Sequence, residues 1–328
     1  MPGGSSERVK ELLSFDLQLR IAAAAGLLLD DQDPSVLPVT ISPDPIQRPL
    51  PQVVGFDEAG RGALAGPVTV ACVSFELSEN LWSGDGVAFH LSDNLCVGDS
   101  VAFKLPENLR SGDSVAFKLP ENLRSGDGVA FRLPDGLWSG DGADVRGEML
   151  SATPASDAGD LCRALPHLDD SKRVTPKRRE ALYDVIRRVA TYGVGHASAA
   201  EIDRMGIVPA CNLAACRALA RLDVPIGLAL LDRGLSLPSG GPHAGMPCCK
   251  LTRGDARSFH IAAASILAKV TRDSLMVCLD ERFAGYGLAK HKGYGTAAHR
   301  NAIRERGASA IHRRTFIKDQ EVAKSQFC

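Results

Sequence analysis

The chain predicts an α/β domain built on one sheet, on three observations. Strand-length runs rich in apolar and β-branched residues fall near 53–57, 67–75, 191–197 and 227–232. Stretches with helical spacing of apolar residues alternate with the later runs, as near 176–189, 209–221 and 259–283, and strands alternating with helices make an α/β sheet. Two of the runs end at carboxylates, Asp57-Glu58 and Asp232. With 328 residues, 45% of them apolar, the chain can bury a substantial core.

In chain order, an amphipathic segment around 6–20 precedes a Pro/Asp-rich connector at 31–51. The strands near 53–57 and 67–75 are joined by a glycine-rich turn, Gly60-Arg61-Gly62. Thr175-Pro176 reads as an N-cap followed by proline at the first helical position. The helix after it carries Leu182, Val185, Ile186 and Val189 on one face. A strand near 191–197 follows, with Glu201-Ile202-Asp203 read as a strand end, and then the helix around 209–221. The run 227–232 reads as a buried strand, 246–251 as a hairpin or edge strand, and 290–316 as a basic, partly helical tail. The organisation expected is an N-terminal helical segment and connector (1–50), a main domain (51–316) interrupted by an acidic insertion (77–167), and a tail (317–328).

The insertion carries four copies of a 14-residue unit over 84–139, typified by GDSVAFKLPENLRS. Each unit pairs a Gly-Asp turn signal with a short Val-Ala-Phe-x-Leu alternation. So few apolar side chains per unit favour an expanded surface loop, with a small strand ribbon or an acidic flap as alternatives. Residues 140–168 are Gly-, Ala- and Asp-rich and read as loop.

The net charge of −1 conceals a division. Residues 1–75 carry 5 basic and 9 acidic side chains, 76–169 carry 7 and 16, and 170–328 carry 26 and 14. The C-terminal half is basic enough to attract a polyanion. No uncharged apolar run reaches the roughly 18 residues of a membrane span. The first twenty residues lack the basic-then-apolar pattern of a secretory signal. Nine scattered cysteines without a CxxC pair are read as reduced cytoplasmic thiols, a structural zinc site being the alternative.

The carboxylates carry the chemistry. An acid at the end of a buried strand is costly unless a cation or hydrogen bonds compensate it. Converging acids without histidines favour Mg²⁺ or Mn²⁺ over zinc. Two such ions about 3.5–4 Å apart clamp a phosphodiester, one activating water and the other stabilising the leaving oxygen. The candidates are Asp57, Glu58, Asp232 and Asp273, the last on a helix where Ser265, Lys269 and Asp273 share a polar face. His291, His299 and His312 lack the spacing of a metal cluster and are read as hydrogen-bonding groups.

FDEAGRGALAGPV at 56–68, LDDSKRVTPKRREALYDVI at 168–186, LLD at 230–232, GDARSFHIAAASILAKVTRD at 254–273, YGLAKHKGYGTAAH at 286–299 and HRRTF at 312–316 together resemble the ribonuclease HII family. The resemblance covers roughly 53–75 and 168–316. It implies a ribonuclease H-like mixed sheet flanked by helices, with a helical C-terminal extension. It implies cytoplasmic endonucleolytic cutting of the RNA strand in RNA–DNA hybrids. It also implies incision 5′ of ribonucleotides embedded in duplex DNA, as in ribonucleotide excision repair, with two Mg²⁺ or Mn²⁺ ions. Asp57, Glu58, Asp232 and Asp273 are matched to the metal-binding acids. Gly60, Arg61 and Gly62 match the loop that senses the ribose 2′-hydroxyl, Tyr294 the stacking tyrosine, and Lys172 a lysine near the phosphates. A monomer without membrane contact is expected. The alternative is a catalytically weakened or inactive nucleic-acid-binding protein on the same fold.

Three departures from the family pattern stand out. Arg233 follows the third acid where glycine is usual, Ala63 follows the Gly-Arg-Gly turn where proline is common, and the insertion replaces a short connection. Loop length costs stability only slowly, so the fold can tolerate the last.

Overall fold

A computed structural model describes residues 4–24, 51–76, 158–237 and 246–317. The four repeats, nearly all of the connector expected over 31–51 and the tail from 318 onward lie outside the described residues. The sheet is built from β1 (Val53–Ala59), β2 (Val68–Ser74), β3 (Thr191–Ala197), β4 (Leu228–Asp232) and β5 (Cys248–Leu251), in the order β3-β2-β1-β4-β5. β1 and β2 pair antiparallel, as do β2 and β3, whereas β1–β4 and β4–β5 are parallel. β2 is buried at every position, as continuous apolar strands are when both faces of a sheet are covered.

One face is covered by α4 (Ala199–Met205) and α5 (Ile207–Leu219). Val54, Phe56, Val68, Val70 and Cys72 pack there against Ala210, Ala214 and Ala218. The small stripe on α5 permits close approach to the sheet. The other face is covered by the long helix α6 (Phe259–Arg282), flanked by α1 (Gly4–Ala24), α2 (Ala158–Ala164) and α3 (Pro176–Val189). α6 crosses β1 so closely that a Cβ on Gly55 would lie 2.4 Å from the carbonyl carbon of His260. Ser258 Oγ caps the Ile261 N–H at 3.2 Å, and Asp16 of α1 accepts from both the backbone N–H (3.0 Å) and the ring Nδ1 (2.7 Å) of His260. The N-terminal helix is thereby fastened to the first turn of α6.

Beyond α6, α7 (Leu288–His291) and α8 (Ala297–Arg306) form the C-terminal helical extension. Leu288 and Ile303 pack with Leu64, Ala65, Leu275, Met276 and Leu279. The mixed sheet, its covering helices and this extension agree with the architecture expected from the sequence.

Two local expectations are corrected, at 201–203 and 158–164, while those at Thr175 and 246–251 hold, the latter in its edge-strand form. Glu201-Ile202-Asp203 lies within α4, where Ser198 and Glu201 form a reciprocal capping box. Thr175 does occupy the N-cap of α3, but its hydroxyl makes no capping bond. Residues 246–251 contribute an edge strand parallel to β4, not a hairpin. Residues 158–164, read as loop, form α2, and Leu161, Leu165 and Leu168 are fully or almost fully buried beside Val9, Leu12 and Leu13 of α1. Leu161 lies on α2 and Leu165 and Leu168 in the turn after it, and the surrounding small polar residues obscure their spacing. No helix among the described residues is long and apolar enough to cross a membrane. None of the seven described cysteines is in a disulfide.

The placement of α2 makes a prediction. Leu161→Ala should destabilise the protein by about 2–5 kcal/mol, as cavity-forming substitutions in a core do. Urea unfolding checks this, and a change below ~0.5 kcal/mol, typical of a surface site, would contradict it.

Candidate functional site

Parallel pairing sets the centre of the site. Phe56 is in register with Leu231, so the next residue along each strand is a carboxylate, Asp57 on β1 and Asp232 on β4. Glu58 joins them, and one carboxylate oxygen from each of the three lies within 4.8 Å of the others. Asp57 is only 6% exposed, and its Oδ1 accepts the Glu58 N–H at 2.7 Å. Asp232 Oδ1 accepts the Gly254 N–H at 2.8 Å. Glu58 Oε1 pairs with Arg61 Nε at 2.9 Å, while its buried Oε2 has no hydrogen-bond partner.

Crowding and burial make these acids hard to ionise. Asp57 is held well above the usual carboxylate range by burial first, then by the charges of Glu58, Asp232 and Asp255. Burial also raises Glu58 against the opposing pull of Arg61, and raises Asp232 against the Gly254 and Arg233 amides.

Asp255, not singled out in the sequence, lies outside that trio, but its charge acts on Asp57 and it feels the charge of Asp232. It sits in a 3₁₀ turn, Gly254–Ala256, placed by the chain leaving the edge strand β5. Burial raises its pKa, followed by the neighbouring Asp170 charge, and Asp232 adds to the shift. The signal available was the Gly-Asp pair opening GDARSFHIAAASILAKVTRD, a turn dipeptide just after a strand and before a helix. Lys172 Nζ lies 3.4 Å from Asp255 Oδ2. Burial works against its charge, but Asp255, Asp170 and Asp57 outweigh that and raise its pKa.

Asp273 stands apart. On α6 it accepts from Lys269 Nζ at 2.9 Å across one helical turn, and it is not among the acids that converge. The i, i+4 spacing that drew attention to it describes an ion pair along the helix flank. Its neighbour Arg272 is the residue that points inward, fully buried.

The glycine turn lies alongside. Gly60 has φ +87, and a Cβ there would fall 1.8 Å from Arg272 Nε; only glycine fits both the backbone and the space. A Cβ on Gly62 would meet nothing within 4 Å. Arg61 donates from Nη2 to the Gly234 carbonyl at 2.9 Å, bridging β1 to the turn after β4. Leu64 and Ala65 donate to the Gly293 carbonyl at 2.8 and 3.2 Å, which docks the turn carrying Tyr294 against this loop. Tyr294 keeps 38% exposure. Arg233 is exposed, its backbone amide turned to Asp232, and Ala63 is buried.

The histidines of the extension act as structural hydrogen-bonding groups. His299 Nδ1 lies 3.0 Å from the Tyr294 carbonyl and its Nε2 3.2 Å from His312 Nε2, while His312 Nδ1 accepts the Ser309 N–H. Burial is the main reason that both pKa values fall to about 4, so the rings are neutral near pH 7.

The chemistry of Asp57, Glu58 and Asp232 fits a hard divalent cation: oxygen donors only, mutually repelling, with one buried carboxylate oxygen unpartnered. Because their pKa values are raised, these groups oppose folding above the ordinary carboxylate range. That penalty fades as pH falls through the raised values. In metal-free buffer Asp57→Asn should therefore raise the melting temperature, by ~2–4 °C for each kcal/mol of repulsion removed. The same variant should lose the rise in melting temperature that Mn²⁺ gives the wild-type protein. Scanning fluorimetry with and without Mn²⁺ tests both, and a metal-free variant that melts below wild type contradicts the account.

The family model described as Ribonuclease HII matches residues 142–319, more than half of the 328. The ribonuclease HII of Syntrophotalea carbinolica is 49% identical over 153 residues, spanning 46% of this chain and 71% of that protein. That of Corynebacterium jeikeium is 48% identical over 153 residues, with the same shares. That of Geobacillus kaustophilus is 46% identical over 162 residues, covering 49% of this chain and 60% of the relative. The family match contains Asp232 and Asp255 but begins after β1 and β2. Asp57 and Glu58 join it through the sheet. The matched span and the shared length of its relatives together establish that the chain belongs to the ribonuclease HII family.

Proposed function

We propose that this protein is a metal-dependent endoribonuclease. It hydrolyses the RNA strand of RNA–DNA hybrids and incises 5′ of ribonucleotides embedded in duplex DNA, leaving 3′-hydroxyl and 5′-phosphate ends. The observation that carries this reading is the convergence of Asp57, Glu58 and Asp232 at the ends of β1 and β4, in a chain of this family. Asp57, Glu58 and Asp232, with Asp255 completing the set in place of Asp273, would hold two Mg²⁺ or Mn²⁺ ions, which would supply water activation and stabilisation of the leaving oxygen.

The chain's own residues do the recognition. Closely approaching backbone at Gly60, Arg61 and Gly62 reads the ribose 2′-hydroxyl, the group that distinguishes RNA from DNA. The open space beside Gly62 is where that approach occurs. Tyr294 offers its exposed ring as a stacking surface at the junction. Lys172, between Asp255 and solvent, supplies a compact positive charge for a phosphate. Lys290, Lys292 and Arg300 extend the basic track along the duplex backbone. The unit acts as a cytoplasmic monomer, with the domain over 51–316 interrupted by the repeat-bearing insertion.

Duplex DNA carrying one ribonucleotide, beside an all-DNA duplex, tests the reading in Mg²⁺ and in Mn²⁺. Incision 5′ of the ribonucleotide, absent on all-DNA and in Asp57→Asn, is expected. Intact substrate with folded protein would leave only a nucleic-acid-binding role. Gly62→Ala sharpens the test: its methyl has room in the free protein, so melting should be unchanged while incision falls ~10- to 100-fold through misplacement of the substrate. Wild-type incision by Gly62→Ala would remove this loop from recognition.

A further inference from the structure

Arg272 is fully buried on α6, one residue before Asp273. An ionised side chain so placed is costly unless its donors are matched. Its donors reach backbone carbonyls from two separate segments. Nε donates to Pro67 at 2.9 Å and Nη2 to Ala65 at 3.2 Å, both in the loop that follows the Gly-Arg-Gly turn. Nη1 donates to Lys292 at 2.9 Å, in the turn that carries Tyr294. Lys292 has φ +52, a left-handed conformation strained for a residue with a side chain, and its carbonyl is the one Arg272 holds. The guanidinium carbon lies 5.4 Å from the centre of the Tyr294 ring, within cation–π reach, and Gly60 packs directly on Nε. One planar, rigid fork thus touches both elements.

We propose that Arg272 is a positioning residue that fixes the Gly60–Gly62 turn and the Tyr294 ring at one mutual spacing, so that sensing of the 2′-hydroxyl and stacking at the junction act as a unit. This rests on the substrate reading proposed above. The acids lie on β1, β4 and the 254–256 turn, outside the segments Arg272 holds, so metal affinity is independent of it. Lysine cannot replace the fork, since it offers a point charge without the paired planar donors.

The test uses the full chain with Arg272→Lys and Arg272→Met, each checked by melting at the assay temperature. Arg272→Lys should lower kcat/KM on duplex DNA with one embedded ribonucleotide ~10- to 100-fold, and leave Mn²⁺ affinity by calorimetry within about twofold of wild type, a shift of ~0.4 kcal/mol. In a Tyr294→Ala background the same substitution should cost less than about threefold, because the two residues act through one another. Hydrogen exchange should quicken together in 60–67 and 290–296 and stay unchanged in α5. Wild-type cleavage by Arg272→Lys, multiplicative losses in the double variant, or a parallel fall in Mn²⁺ affinity would each overturn the proposal. Failure of both variants to fold would also overturn it, by making Arg272 a requirement of the core. Should the wild-type protein cut no ribonucleotide-containing substrate, the proposed function fails, and the exchange data alone decide the coupling: unchanged exchange in the two segments overturns it.

Discussion

The parallel pairing of β1 with β4 is the constraint on which the remaining architecture depends. It joins two strands separated in the chain by β2, α2, α3, β3, α4 and α5, and its register sets Asp57 beside Asp232. A shift of one residue would turn each strand's inner face outward, removing Phe56 and Leu231 from the core they share with α5. Core packing and site geometry are therefore specified by the same register. Gly55 serves both as well, because its missing Cβ lets α6 settle on β1 and brings the residues of α6 against the glycine loop.

Around this pairing the molecule holds an electrostatic conflict. Three carboxylates are gathered in a partly dry cleft with their pKa values raised, and Arg61 and Lys172 offset the repulsion only in part. Such an arrangement lowers metal-free stability, and in the function proposed above that cost would be exchanged for affinity toward a divalent cation. A second layer of cations serves geometry. Arg272 and Arg313 are both fully buried and donate to carbonyls of the 61–67 loop. Their pKa values are lowered, first by burial.

Much of this was legible in the sequence because the signals were local and physical. Asp57 and Asp232 stood out as charges ending apolar runs, which in a strand must meet a cation or hydrogen bonds. The sheet strands were legible for the same reason, since runs buried on both faces have few polar interruptions. What was missed depended on partners distant in sequence or on signals of the wrong scale. Asp255 looked like an ordinary turn acid until β5 was seen beside β4. Asp273 looked like a ligand because its helical spacing to Lys269 was read without knowing which way α6 faces. The helix at 199–205 was hidden by its shortness, although Ser198 and Glu201 were a capping box in plain sight. Leu161 of α2 and Leu165 and Leu168 just after it were masked by the composition around them, and their partners lie on α1, about 150 residues earlier in a chain of 328.

The central claim, proposed above, is that the acids on β1, β4 and the 254–256 turn would hold the metal, with α6 contributing position and not a ligand. Calorimetric titration of Mn²⁺ into Asp255→Asn and Asp273→Asn tests it most directly, with ribonucleotide incision measured on the same preparations. The account predicts that Asp255→Asn weakens Mn²⁺ binding at least ~10-fold, about 1.4 kcal/mol, and abolishes incision, while Asp273→Asn binds Mn²⁺ as the wild-type protein does. The reverse pattern, with Mn²⁺ affinity lost at Asp273 and kept at Asp255, would contradict it.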